Sequence, residues 1–334
     1  MDNLAHALVG AALGRAVADG RAPQAALVGA VAANAPDWAE FLVGFRGRRL
    51  DYYTLHRGIT HSFLGAAVEI AGLTLLIGVA AVWWARRRGA PAPAWRWIAL
   101  CVGASVLSHL VMDWQGSYGL RPWLPWSGRW YYGDAVAIVD PFFWLVPLVA
   151  LAWGARRHWL PLAFVAAVGV PIAVVVFRTD QASPGLKLVC RAAARALVAL
   201  AGYALAQGIA SLPAKAAARR AATVRFGPGA QWAALTVVGR PFSWEPIYAS
   251  ADTVAGDDWA LPRHLNDPRV QDALQHTFEG RAMLQFARFL TAEVDTRPQG
   301  GGMLVLLRDA RYTRVARAGW AVVVIRMAGG GGGE

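Results

Sequence analysis

The chain has 334 residues, of which 56% are hydrophobic and 16% charged, and its formal net charge is +12. A soluble domain carries about a quarter charged residues, so this balance excludes a wholly soluble protein and points to a chain that meets lipid. Lys and Arg gather in short loops beside apolar runs, with no basic helix or aromatic–basic sheet motif, which argues for headgroup contacts and against nucleic acid as a partner.

Residues 4–18 and 23–45 are apolar and rich in small residues, and the joint at Asp19, Gly20 and Arg21 predicts a helical hairpin. No basic leading region precedes the first apolar stretch, so MDNLAHALVG does not read as a signal peptide. Residues 46–60 are polar and aromatic and predict a loop. Residues 62–84 form an apolar run interrupted by one charge, Glu69. At 1.5 Å per residue this run crosses a hydrocarbon core of about 30 Å. A basic turn with Arg86, Arg87 and Arg88 follows, and residues 95–113 return across the membrane. A long loop rich in Trp, Tyr, Pro and Gly comes next. Residues 141–154 and 159–177 predict a second apolar hairpin, with Pro147, Pro161 and Pro171 as kink positions. An Ala-dominated stretch, 196–212, is a further candidate span.

From about residue 220 charges become frequent and apolar runs shorten. TVVGRPFSW, GMLVLLRDARYTRV and WAVVVIRM predict strands, and residues 268–290 have helical spacing. The expected architecture is an α-helical polytopic membrane bundle of about 4–6 spans over residues 1–215. A small soluble α+β domain over 220–327 and a disordered Gly-rich tail over 328–334 complete it. Cys101 and Cys190 lie in or beside apolar helical segments, so neither a disulfide framework nor a Cys-based zinc site is expected.

Positive residues orient the bundle. The Arg86–Arg88 turn, and with it Arg156 and Arg157, falls on the cytoplasmic side. His6, Asp37, His56, His61, His109 and Asp113 then converge near the outer face, although Arg46, Arg48 and Arg49 in the outer loop run against that orientation.

His109 and Asp113 are four apart and share a helix face, offering an imidazole nitrogen and a carboxylate oxygen to one ion. In H56-R-G-I-T-H61-S the two histidines need a turn to meet, for which Gly58 is the candidate; Thr60 or Ser62 can cap the following helix. Arg57 offers a fork suited to phosphate or carboxylate. N34-A-P-D37 places a carboxylate at the edge of an apolar helix, where ionisable groups are costly and usually functional. Asn34 can orient a ligand, as can Asp2 and Ser62 beside His6 and His61. In the long loop Asp134 and Asp140 are candidates to reach the site, and Arg129 is a second candidate for the anion. Glu69 reads equally as a proton carrier or a helix-packing group.

MDNLAHALVGAALGRA, ANAPDW, HRGITHS, SHLVMDW and RPWLPWSGRWYYGDAVAIVDP resemble the motifs of the YdjM-like membrane-bound metal-dependent hydrolases. The likeness is most specific over residues 1–145. It implies a bacterial inner-membrane protein whose divalent metal is held by His6, Asp37, His56, His61, His109 and Asp113. Mixed imidazole and carboxylate ligands favour zinc, with manganese as the alternative. The expected function is hydrolysis of an ester or phosphoester by metal-activated water, with Arg57, Asp134 and Asp140 assisting. A site at headgroup depth makes a membrane lipid or lipid-linked molecule the expected substrate. Transport of a metal or proton, and a non-catalytic membrane scaffold, are the alternatives.

Overall fold

The computed structural model describes residues 1–18, 21–22, 24–39, 55–153, 186–296, 302–315, 317 and 319–327. Two compact units divide the chain. The first comprises Met1–Phe41, Arg57–Ile209 and Thr236–Phe242; the second comprises Leu42–His56, Ala210–Leu235 and Ser243–Glu334.

The first unit is a helical bundle. Helix α1 (Asn3–Ala18) packs against α2 (Ala25–Asn34), which runs into a 3-10 turn at Ala35–Asp37. The two helices cross at glycines: a Cβ added at Gly29 would lie 2.0 Å from the Gly10 carbonyl oxygen. Their backbones therefore approach as close as only small residues allow. Helix α3 (Phe63–Arg87) and helix α4 (Trp95–Trp114) form an antiparallel hairpin, with Gly78 against Trp95 at its turn end. Helix α3 exposes Val68, Leu75, Leu76 and Val79, the surface expected of a helix facing lipid. Helix α5 (Phe142–Trp153) holds Pro147 within it. Helix α6 (Leu186–Phe226) exposes Val198, Leu205, Ile209 and Leu212 along one stripe. The core gathers Ala25, Val28 and Ala32 of α2, Ala66 and Leu73 of α3, and Val102, Val106 and Leu110 of α4.

Among the described residues three helices are long and apolar enough to cross a membrane: Phe63–Arg87, Trp95–Trp114 and Arg191–Phe226. The expected count of about 4–6 counted α1 and α2 as crossings. At 16 and 10 residues they fall short of that length. Their apolar surface is explained by burial, for Ala5, Leu8, Ala11, Ala12, Ala32 and Ala33 are all enclosed by neighbouring helices. The 159–177 arm, Pro161, Pro171, Arg156, Arg157 and the 328–334 tail lie outside the described residues.

The division between the units falls at Ile209/Ala210, inside the continuous helix α6, and Thr236–Phe242 groups with the first unit. The change of composition near residue 220 marks the end of an apolar surface, while Ala, Arg and Lys carry the helix onward.

The second unit carries a four-stranded sheet in the order β1 (Gln231–Thr236), β2 (Trp244–Ala249), β3 (Thr253–Ala255), β4 (Ala260–Pro262). A three-stranded antiparallel sheet follows, β5 (Leu290–Asp295), β6 (Met303–Asp309) and β7 (Val322–Met327). The helical stretch 268–290 is two helices, α7 (Pro268–His276) and α8 (Phe278–Phe286). Thr277 separates them: its hydroxyl accepts from the Gly280 N–H at 2.9 Å and starts a new helix.

Candidate metal centre

Four polar side chains meet inside the bundle. Asp37 comes from the 3-10 turn after α2, His61 from a 3-10 turn (Ile59–His61) before α3, and His109 and Asp113 from the last turns of α4. All four are buried, at 4%, 1%, 0% and 1% exposure respectively. Each offers one ligand atom, and these atoms lie within 4.8 Å of one another.

The spacing can be compared with an ion's needs. Bonds of about 2.0–2.2 Å at tetrahedral angles put neighbouring ligand atoms roughly 3.4 Å apart. His61 Nε2 lies 3.0 Å from His109 Nε2, 3.1 Å from Asp37 Oδ1 and 3.4 Å from Asp113 Oδ2. His109 Nε2 lies 3.6 Å from Asp37 Oδ1 and 3.5 Å from Asp113 Oδ2. Two imidazole nitrogens and two carboxylate oxygens therefore form a group that could hold a single divalent ion.

The far side of each ligand is also held. His109 Nδ1 lies 2.7 Å from the Ala33 carbonyl, which accepts its proton and leaves Nε2 bare toward the cluster. His61 Nδ1 lies 3.1 Å from the Thr60 hydroxyl. Asp113 divides its two oxygens: Oδ2 faces the histidines, while Oδ1 meets Arg57 Nη2 at 2.9 Å and the Met1 amino group.

The turn that delivers His61 is built around Arg57. Its φ is 51°, a left-handed conformation uncommon for a non-glycine residue. The turn was expected at Gly58, whose φ of −78° places no such demand on it. The Arg57 guanidinium compensates by donating to the Gly119 and Asp113 carbonyls at 2.9 and 3.2 Å and by stacking over Tyr118 at 4.5 Å. Ser62 then starts α3, accepting from the Gly65 N–H at 3.0 Å and donating to the Ile59 carbonyl at 2.7 Å.

The electrostatics favour a cation. Burial opposes ionisation of Asp37, but the His61 hydrogen bond and the nearby His109 outweigh it and hold the carboxyl below its ordinary range. Burial likewise opposes charging of His61, yet its bonds to Asp113 and Asp37 carry its pKa above the ordinary value. In the metal-free protein a proton on His61 supplies positive charge between two carboxylates.

The remaining sequence candidates have other places. His6 stacks on His109, with ring centroids 3.8 Å apart, and its Nε2 lies 3.3 Å from Asp113 Oδ1; it is not one of the four clustered ligands. His56 is half-buried and outside the group of four. Asp2 accepts from the N–H groups of Leu4 and Ala5 and from Trp144 Nε1, tying the start of α1 to α5. Asn34 donates back to Ala30 of its own helix. Asp140 accepts from Tyr203, Gln207 and the Phe142 N–H, each at 2.9 Å, and so joins its loop to α6. Asp134 is buried in a segment folded back on the end of α4, where Gly133 donates to the Trp114 carbonyl. Arg129 is exposed over Tyr131. Glu69 keeps one buried carboxylate oxygen without a hydrogen-bond partner.

Sequence reasoning passed over Arg121. Its guanidinium is buried over Trp130 at 4.8 Å and reaches the Arg57 carbonyl at 3.5 Å. The signal was the lone Arg opening the aromatic RPW segment. The Ala33 carbonyl had no signal, because a backbone acceptor carries no residue identity.

The family model described as YdjM inner membrane protein matches residues 1–182, more than half of the chain and every residue of the cluster. The chain belongs to the YdjM inner membrane protein family. Three apolar helices of crossing length accord with the membrane location in that family's description. No curated protein and no solved structure matches the chain.

Proposed function

We propose that this member of the YdjM family is a membrane-embedded metal-dependent hydrolase acting on an ester or phosphoester of a lipid or lipid-linked substrate. The observation that carries the reading is the convergence of Asp37 Oδ1, His61 Nε2, His109 Nε2 and Asp113 Oδ2 at metal-ligand spacing. These four would hold the ion, with zinc favoured by the nitrogen and oxygen donors and manganese as the alternative. A bound divalent ion would bring the pKa of a coordinated water toward neutrality and polarise a phosphoryl or carbonyl oxygen. The chain's own groups do the rest. Ala33 and Thr60 fix the two imidazoles, and Arg57 fixes Asp113. The Arg57 guanidinium against Asp113 sets a fixed positive charge beside the cluster, which favours an anionic group.

Complete burial of all four ligands favours a second reading, a non-catalytic ion that staples the bundle, since closed four-ligand sites are commonly structural. Metal analysis and hydrolysis assays on detergent-purified protein separate the two. Hydrolysis of phosphoester or lipid substrates that is lost together with metal in His109→Ala supports the enzyme. Bound metal with no hydrolysis across such a panel supports the staple, and full hydrolysis by His109→Ala overturns the proposed centre.

A further inference from the structure

The opposite end of the α3–α4 hairpin carries a feature that the metal centre does not use. Arg87 lies over the Trp83 ring at 4.0 Å and Arg88 over Trp84 at 4.6 Å, each folded back one helical turn. Arg21 and Arg96 lie over Trp97, at 4.4 and 5.5 Å from its ring centroid. All four arginines are exposed, and among the described residues none of them pairs with a carboxylate. A guanidinium whose face rests on an indole keeps its N–H edge outward, in the fork geometry that phosphate oxygens accept.

A groove of about 550 Å³ lies between α3 and α4. Trp95, next to Arg96, and Ala99 line it from the arginine end of α4, and Ala67, Ile70, Ala71 and Leu75 line it along the first half of α3. Along α3 the lining runs from Ala67 to Leu75, about 12 Å of helix. Both helices are long and apolar enough to cross a membrane, and the groove between them is lined mostly by apolar side chains.

We infer that this end of the hairpin binds an anionic phospholipid of the surrounding membrane, its phosphate on the tryptophan-stacked arginines and one acyl chain in the α3–α4 groove. Charge complementarity selects the occupant. Guanidiniums with no carboxylate partner among the described residues attract a phosphate whose charge is not already neutralised, and none of the described residues at this end offers a carboxylate to the ammonium of a zwitterionic headgroup. The apolar groove requires the phosphate to be attached to a hydrocarbon chain, which free phosphate lacks. This site lies at the far end of the hairpin from Asp113, and the inference is independent of the proposed hydrolysis.

The test uses full-length protein in nanodiscs holding equal amounts of phosphatidylglycerol and phosphatidylcholine, released for native mass spectrometry. Retained phosphatidylglycerol should exceed phosphatidylcholine by about tenfold. Arg87→Gln/Arg88→Gln/Arg96→Gln should bring that ratio near unity. Ala71→Phe fills the groove, leaves every charge in place, and should reduce the phosphatidylglycerol retained. Metal content equal to wild type in each variant reports an intact fold at the other end of the hairpin. Equal retention of the two lipids by the wild-type protein, or an unchanged ratio in the triple variant, overturns the inference. Unchanged retention in Ala71→Phe overturns the groove as the seat of the acyl chain.

Discussion

His109→Ala is the most direct perturbation of the cluster. It removes one of four ligand atoms, and it leaves Asp37 Oδ1 and Asp113 Oδ2 facing each other with one imidazole, His61, between them. Loss even of groups that merely orient a ligand typically weakens metal binding 10–100-fold. Loss of a ligand should reach or exceed the upper figure. With zinc supplied at about 100 times its dissociation constant, the ion stabilises the wild-type fold by about 2.7 kcal/mol. A 100-fold weaker site under the same conditions retains only about 0.4 kcal/mol. Two measurements follow on purified protein in detergent: metal content by mass spectrometry, and the rise in Tm on adding zinc after chelation. Wild type should carry about one equivalent and show a clear rise; His109→Ala should show neither. His6→Ala is the matched control, because His6 stacks on His109 but meets Asp113 through the other oxygen, and it should keep its metal. Undiminished metal and an undiminished Tm rise in His109→Ala would refute the four-ligand centre.

Other expectations concern the frame around the site. Gly29→Val would force a Cβ to within 2.0 Å of the Gly10 carbonyl. It should cost at least the roughly 1–3 kcal/mol of ordinary overpacking; an unchanged Tm in detergent would count against the α1–α2 crossing. For His61 the pH dependence should change sign with metal. Its pKa is raised in the metal-free fold, so its contribution is fully present below the unfolded value of about 6.5 and is lost as pH rises through the folded value. An ion requires the neutral imidazole, so the metal-loaded protein should instead gain stability with rising pH. Parallel Tm–pH profiles with and without chelator would contradict this. In the second unit, Asp267 caps α7 by accepting from the Arg269 N–H, and the Arg269 side chain holds its pKa down to about 2. Asp267→Ala should cost no more than about 1 kcal/mol at neutral pH, the side chain being close to solvent. That loss should shrink as pH falls from the ordinary carboxylate value of about 3.9 toward 2, and a penalty independent of pH would exclude the carboxylate as its source.

The cluster was legible because its parts lie in local patterns. His109 and Asp113 share a helix face by spacing alone, and Asp37 and His61 sit where apolar runs stop. His6 and His56 looked equivalent to them in sequence because residue type does not say which ring edge faces which oxygen. The turn before α3 was expected, but its left-handed residue is Arg57 and not Gly58. The intrinsic preference for glycine is overridden by three interactions that hold the arginine, with Gly119, Asp113 and Tyr118. The spans at 62–84, 95–113 and 196–212 correspond to the three helices of crossing length, and the first hairpin does not add to them among the described residues for a related reason. Hydropathy measures apolar surface, and α1 and α2 bury theirs against helices rather than lipid. The strand predictions caught β6 and β7, but the segment 236–244 is the turn between β1 and β2, sharing only its end residues with them, and β1, β3, β4 and β5 were missed; in β5 the alternation is interrupted by Glu293, whose carboxylate meets Arg308 of the neighbouring strand at 2.5 Å.

The site's position at a hairpin end also follows from these parts. Asp113 needs Arg57 on one oxygen to leave the other for an ion, and Arg57 needs the carbonyls of Asp113 and Gly119 to sustain its left-handed backbone. At the end of α4 the Asp113 carbonyl takes a weak turn bond from the Gly116 N–H at 3.3 Å and still accepts from Arg57, and the Gly119 carbonyl lies beyond the helix; in mid-helix the Asp113 carbonyl would be committed to the next turn. Helix α3 begins at Ser62, directly after His61, so the start of one spanning helix and the end of the next supply the imidazole, the carboxylate and the cation together. Moving the same residues one turn deeper would remove the free carbonyls and leave the guanidinium unsatisfied in a low-dielectric interior. The cluster is therefore confined to the level where spanning helices terminate. In a membrane that is the level at which lipid headgroups lie, which supports the proposal of a substrate anchored in the bilayer over one dissolved in water.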